Sequence, residues 1–178
     1  MFTELQKRAL LAVGRRAITT QVLGTGDGVS VDVDLPEASG VFVTIKRDGE
    51  LRGCLGTLQC RRGLAAEVSQ CAADAASEDP RFPPVAADEL AGLTVEISVL
   101  GPLEEIDPLA ENAIAIGRHG LVAELGPRRG LLLPQVATEW QWTAEQFLRQ
   151  TCLKAGLPGD AWKHGARISR FDAEVFGD

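Results

Sequence analysis

Cys54 follows Arg52 by two residues and lies between Gly53 and Gly56, inside the stretch ELRGCLGTL at 50–58. A cysteine acts as a nucleophile through its thiolate, and a guanidinium close by favours that form. In a regular strand, residues two apart share a face about 6.6 Å from each other. The spacing therefore predicts that Arg52 and Cys54 project together. Glycine in a strand packs no side chain and often marks the close approach of a ligand or of another backbone. Gly53 and Gly56, with Thr57 after them, are thus expected to line a space above the thiol. A guanidinium on an otherwise apolar face needs an anion, and Glu96, in LTVEISVL at 93–100, is the internal candidate. His119, in GRHGL, offers a proton carrier toward Cys54 or a metal ligand. The same residues have a plainer reading. Cys54 would be a small buried side chain and the glycines would let a helix dock. Glu96 would then lie on a solvated face, and His119 would be a hydrogen-bonding residue in a glycine-flanked turn.

These residues need elements to position them. VFVTIKR at 41–47 and ELRGCLGTL at 50–58 flank Asp48-Gly49, the signature of a two-residue type I′ hairpin. Counting outward from that turn puts 47 opposite 50, 45 opposite 52, 43 opposite 54 and 41 opposite 56. Thr3-Glu4-Leu5-Gln6 reads as a capping box opening a helix over 4–18. Residues 24–40 form a long irregular connection, with GTGDG at 24–28 as a turn. Leu64, Val68, Cys71 and Ala75 recur at helical spacing over 62–77, and DPRFPP at 79–84 is a proline-stiffened loop. LTVEISVL alternates as a strand, with Leu93, Val95, Ile97 and Val99 on one side and Thr94, Glu96 and Ser98 on the other. Two or three short strands are expected over 112–133, ended by Pro134. A helix over 144–155 is capped by Thr143 and Gln146, stapled by Trp142 on Phe147, and stopped at Gly156. RISRFDAEVF at 167–176 is a final strand. Trp140, Trp142 and Trp162 could form an aromatic wall, but with no tyrosine and few phenylalanines in the chain they are read as core bulk.

Composition narrows the function classes. The chain has 178 residues, 45% hydrophobic and 24% charged, enough for one domain with a real core. Its net charge of −7 argues against a general nucleic-acid or anionic-membrane binder, which carries a basic footprint. The arginine pairs at 15–16, 61–62 and 128–129 are isolated. No run approaches the ~18 apolar residues of a membrane span, and no signal peptide is read at Met1. The four cysteines at 54, 60, 71 and 152 lack CxxC spacing, and there are two histidines, so no zinc site of standard spacing is expected. Free thiols fit a reducing cytoplasm. No cofactor is expected.

Taken together the motifs resemble a known family. LRGCLG at 51–56 is similar to the LRGCIG hexapeptide of the AMMECR domain, with Leu55 in place of isoleucine. DPRFPPV (79–85), LTVEISVLGPLEEI (93–106), GRHGLV (117–122), GLLLPQVATEW (130–140) and FLRQTCLKAGL (147–157) follow in the family's order. The resemblance covers nearly the whole chain. It implies an α+β fold of two lobes built on antiparallel sheets, within one domain over 1–178. The larger lobe would hold the 41–58 hairpin and the 93–100 strand, and the smaller would lie within 112–160. The hexapeptide would lie near the cleft between them. Prokaryotic members called AmmeMemoRadiSam system protein A imply a Memo-like protein and a radical SAM enzyme as partners. The family implies no particular reaction.

Two functions follow. In the first, Cys54 is the nucleophile of a transferase or hydrolase acting on a small anionic substrate. Arg52 stabilises the thiolate or the anion, Glu96 orients Arg52, and His119 carries the proton. In the second, the chain is a non-catalytic binding or adaptor module that holds a peptide or ligand along Gly53, Gly56 and Thr57, with Arg52 reading a carboxylate or phosphate.

Overall fold

A computed structural model describes residues 1–25 and 31–178. The turn expected at 24–28 therefore falls mostly outside the described residues. Gly24 itself is described: at φ 66° it caps the first helix in the left-handed region.

The chain has an α+β fold and divides into two units. The first comprises Met1–Leu100 and Glu174–Asp178, the second Gly101–Ala173. In the first unit, α1 (Glu4–Leu23) is followed by β1 (Gly40–Arg47), β2 (Glu50–Thr57), α2 (Leu64–Ser77) and β3 (Leu93–Leu100). The capping box at Thr3 and Gln6 forms as read, but α1 runs past 18 to Leu23. β1 is central and pairs antiparallel with both β2 and β3. The period-two pattern sends Val41, Val43, Ile45, Val95 and Ile97 to one face, where all are buried with Leu10 and Val68 of the two helices. Each such side chain stabilises the fold by about 1.5–3 kcal/mol through its removal from water. Residues 174–178 complete this unit. Lys7 pairs with Glu174 at 3.2 Å, Arg15 pairs with Asp178, and the Val95 amide donates to the Asp178 carboxylate at 2.9 Å.

The second unit holds β4 (Glu104–Glu105), β5 (His119–Leu125), β6 (Arg128–Leu132), α3 (Pro134–Glu139), α4 (Ala144–Lys154) and the first part of β7 (Arg167–Gly177). β5 pairs antiparallel with β6 on one side and β7 on the other, and β4 adds two residues beside β7. Leu121, Ala123 and Ile168 bury against Phe147, Leu148 and Cys152 of α4. The α4 boundaries follow its punctuation. Thr143 and Gln146 cap it reciprocally, Trp142 lies on Phe147 with ring centroids 6.4 Å apart, and the Leu157 amide reaches back to the Cys152 carbonyl at 2.9 Å.

Two expectations are corrected and one is extended. Pro134 ends the strand run, with β6 stopping at Leu132, and it also opens a helix. Its fixed φ suits the first turn of a helix, where no amide partner is lost, and α3 begins on it. His119 opens strand β5 instead of sitting in a turn. Trp140 is not core bulk: it is 69% exposed and stacked on Trp142, ring centroids 6.2 Å apart. Among the described residues no helix is long and apolar enough to cross a membrane.

Candidate functional site

The hairpin turn forms as its sequence demands, with Asp48 at φ 53° and Gly49 at φ 81°, the double left-handed geometry of type I′. Arg47 then faces Glu50 and Lys46 faces Leu51. At the next rung the register slips. Ile45 faces Gly53, so Arg52 is an extra residue with no partner on β1. Such a bulge inserts one residue on one strand and re-aims the side chains beyond it. The expected pairing of 43 with 54 is replaced by Thr44 with Cys54 and Val43 with Leu55. Cys54 accordingly leaves the packed face of Val43 and Ile45 and joins Thr44 on the opposite one.

Arg52 does not accompany it. Its Nε and Nη2 each donate to Glu89 at 2.9 Å, and its Nη1 and Nη2 donate to the Pro83 and Pro84 carbonyls at 2.9 and 3.3 Å. Glu89 also accepts from Arg47 at 3.0 Å and from the Ala86 amide at 2.8 Å. The Arg52 guanidinium, with the Ala86 amide next, holds the Glu89 carboxyl down at about 2, against its usual 4.5. The anion that Arg52 requires is therefore Glu89, and the expected partnership with Glu96 is corrected. Glu96 pairs with Lys46 at 2.9 Å.

The glycines are occupied too. A Cβ on Gly53 would stand 2.2 Å from the Ala75 carbonyl oxygen of α2, so the missing side chain is where the helix backbone packs. On Gly56 it would stand 2.4 Å from both the Phe42 ring and the Val41 carbonyl. The space expected beside these residues is filled by the chain itself. Thr57 closes a local turn, its hydroxyl accepting the Gln59 amide at 3.2 Å.

What the first unit does bring together is a row across three strands. Cys54, Thr44 and Glu96 are consecutive cross-strand partners on β2, β1 and β3 and so share one face. With strands about 4.8 Å apart, the ends of that row lie roughly 10 Å from each other. The Thr44 hydroxyl donates to the Cys54 sulfur at 3.2 Å. Lys46, Thr94 and the exposed Leu51 extend the face toward the hairpin tip, and Phe42 extends it the other way. Cys54, Lys46 and Glu96 are all partly exposed.

Two residues missed in the sequence hold Cys54 from the outside. β2 is an edge strand, and the Cys54 backbone points away from β1. Asp79 accepts its amide at 2.8 Å and Arg81 donates to its carbonyl at 3.3 Å. The two clamp residues bind each other at 2.7 and 2.9 Å. Arg81, followed by the Cys54 and Arg81 amides, keeps the buried Asp79 carboxyl well below the usual carboxylate range. The legible signal was Asp79-Pro80-Arg81, a carboxylate and a guanidinium held two apart by proline.

His119 belongs to the second unit. It is buried, faces Asp172 across β5 and β7, and its Nδ1 accepts the Ala115 amide at 3.0 Å. Its Nε2 stands 3.8 Å from the Asp172 carboxylate, which Arg118 also engages at 3.1 Å. Burial first, then Arg170, pushes the imidazole below its ordinary 6.5, with Asp172 opposing. The neutral ring therefore carries its proton on Nε2. Among the described residues no cluster of three or more His, Cys, Asp or Glu is placed to hold a metal ion. Cys71 and Cys152 are buried in the two cores, and Cys60 is partly buried against the first.

The AMMECR1 family model matches residues 11–176. A protein of Methanothermobacter thermautotrophicus is 44% identical over 178 residues, covering 95% of this chain and 92% of that one. A protein of Methanococcoides burtonii is 45% identical over 158 residues, covering 84% and 79%. The crystal structure of the uncharacterized protein PH0010 from Pyrococcus horikoshii is similar with a TM-score of 0.81 at 40% identity, covering 100% of this chain and 93% of that one.

Proposed function

This chain belongs to the AMMECR1 family, and on that premise we propose that it is a binding module whose working surface is the face of β1–β3 around Cys54, Thr44, Lys46 and Glu96. One observation carries the reading: Arg52 is forked onto Glu89 and two proline carbonyls, so the guanidinium that would activate Cys54 for group transfer is committed elsewhere. The face combines exposed Leu51, a half-buried phenylalanine, a lysine–glutamate pair and a thiol. That mixture suits a short peptide or a partner's loop, with apolar contact for affinity and the charges for orientation. A Memo-like protein and a radical SAM enzyme are the partners the family suggests, and free thiols suit a cytoplasmic setting.

The competing reading, thiol chemistry at Cys54, draws on the Thr44 hydroxyl directed at the sulfur. One set of variants separates them. Lys46→Glu is expected to abolish co-purification with the Memo-like protein, and the charge swap Lys46→Glu with Glu96→Lys to restore part of it. Cys54→Ser is expected to leave binding intact. A Cys54→Ser chain that binds normally yet fails to complement a deletion strain would overturn the binding-module reading in favour of chemistry.

A further inference from the structure

The first unit's outer edge strand, β2, is closed at Cys54 by Asp79 and Arg81. Among the described residues, the second unit's outer edge strand, β6, has no such closure. Leu125 and Arg128 close a two-residue hairpin over Gly126, at φ 58°, and Pro127. In such a hairpin the closing pair exchanges hydrogen bonds and alternate pairs do not. The pairs Glu124–Arg129 and Val122–Leu131 are therefore the open ones, and the amides and carbonyls of Arg129 and Leu131 point outward from β6. Among the described residues neither has a backbone partner on that side.

The side chains beside this open edge carry unmatched positive charge. Among the described residues, Glu124 is the one carboxylate facing both Arg129 and Arg167. Arg167 takes it in a close ion pair, while Arg129 Nε stays 3.6 Å away, buried and without a hydrogen-bond partner among the described residues. Arg128 is spent on the Gly156 carbonyl at 2.9 Å. Next along the same side of β6 is the half-buried Leu131. A buried donor without a partner costs free energy that a carboxylate brought alongside would recover.

We propose that β6 is a strand-addition site for an extended acidic segment of a partner protein, carrying a carboxylate beside Arg129 and an apolar residue two positions away beside Leu131. Backbone bonds to Arg129 and Leu131 supply affinity, and the carboxylate supplies selectivity. This site is independent of the face around Cys54.

The test uses the full chain and three terminally blocked eight-residue peptides. One repeats Glu-Thr-Val-Thr, which sets glutamate and valine two positions apart on one face, one repeats Lys-Thr-Val-Thr, and one is the glutamate peptide with a central proline. Calorimetry and amide hydrogen exchange are read together. The glutamate peptide is expected to bind at least roughly tenfold tighter than the lysine peptide and to protect the Arg129 and Leu131 amides. The proline peptide is expected to bind neither tightly nor protectively. Leu131→Pro removes an amide with no partner among the described residues, a substitution an edge strand tolerates; it should melt near the parent chain and lose the peptide. Arg129→Glu should reverse the charge preference. Glutamate-peptide binding that leaves both amides unprotected, equal binding of the proline peptide, or no binding would overturn the proposal. So would protection of these amides without peptide that grows with protein concentration, since it would make a second copy of the chain the occupant.

Discussion

Gly53→Ala tests whether the glycine beside Cys54 serves packing or leaves room for a ligand. The added methyl would stand 2.2 Å from the Ala75 carbonyl oxygen and 3.2 Å from its carbon. Ordinary carbon–oxygen contact needs about 1 Å more, and the obstacle is helix backbone, which no rotamer change can remove. Overpacking of this kind costs about 1–3 kcal/mol, more where the neighbours are rigid. Taking about 3 kcal/mol, with roughly 2–4 °C lost per kcal/mol in a chain of this size, Tm should fall about 6–12 °C. Gly92→Ala is the matched control, because a Cβ there meets nothing within 4 Å. Scanning calorimetry of the two variants beside the parent reads the difference. A Gly53→Ala protein that melts within about a degree of the Gly92→Ala control would refute the docking of α2 on this position and reopen the space for a ligand.

Other outcomes follow from the same geometry. Glu89 has its folded-state pKa depressed to about 2 from 4.5, so its pairing stabilises the fold above that ordinary value and the contribution fades as pH falls from 4.5 toward 2. Glu89→Gln should lower Tm at pH 7 and flatten the parent's loss of stability across that acid range. His119 is depressed below 6.5, so its contribution is complete above that value and is lost as pH falls beneath it. Its ring protons should titrate below 6.5 by NMR, and the Ala115 amide should lose exchange protection over the same range. Burial pushes the Cys71 thiol up to about 11 and raises those of Cys60 and Cys152 as well. Iodoacetamide mapped by peptide mass spectrometry should mark Cys54 first, and Cys60 labelling ahead of it would contradict the exposure of the Cys54 face.

Where the determinants were local, the residues declared the structure. Thr3 with Gln6 and Thr143 with Gln146 fixed two helix starts because each box satisfies its own amides. Asp48-Gly49 fixed the turn because both residues must take positive φ. The register failed one rung beyond that turn for a non-local reason. Arg52 leaves the ladder to meet Glu89, 37 residues on, and no pattern within the hairpin announces it. The glycines were ambiguous in the same way. A missing side chain looks alike in sequence whether a ligand or a helix backbone fills the gap. Glu96 was rightly set on the polar side of its strand, yet its partner depended on which strand lay beside it and in what register. Thr44, Asp79 and Arg81 were overlooked because their roles exist only once β1, β2 and the proline loop are side by side.

Residues 174–178 belong to the first unit, although the whole second unit precedes them in the chain. On the ribosome, the amino-terminal hundred residues must therefore wait for more than seventy others before Lys7, Arg15 and Val95 meet their last partners. Synthesis order and assembly order diverge, and a nascent chain stalled short of Glu174 would expose an unfinished sheet to whatever chaperone reaches it first.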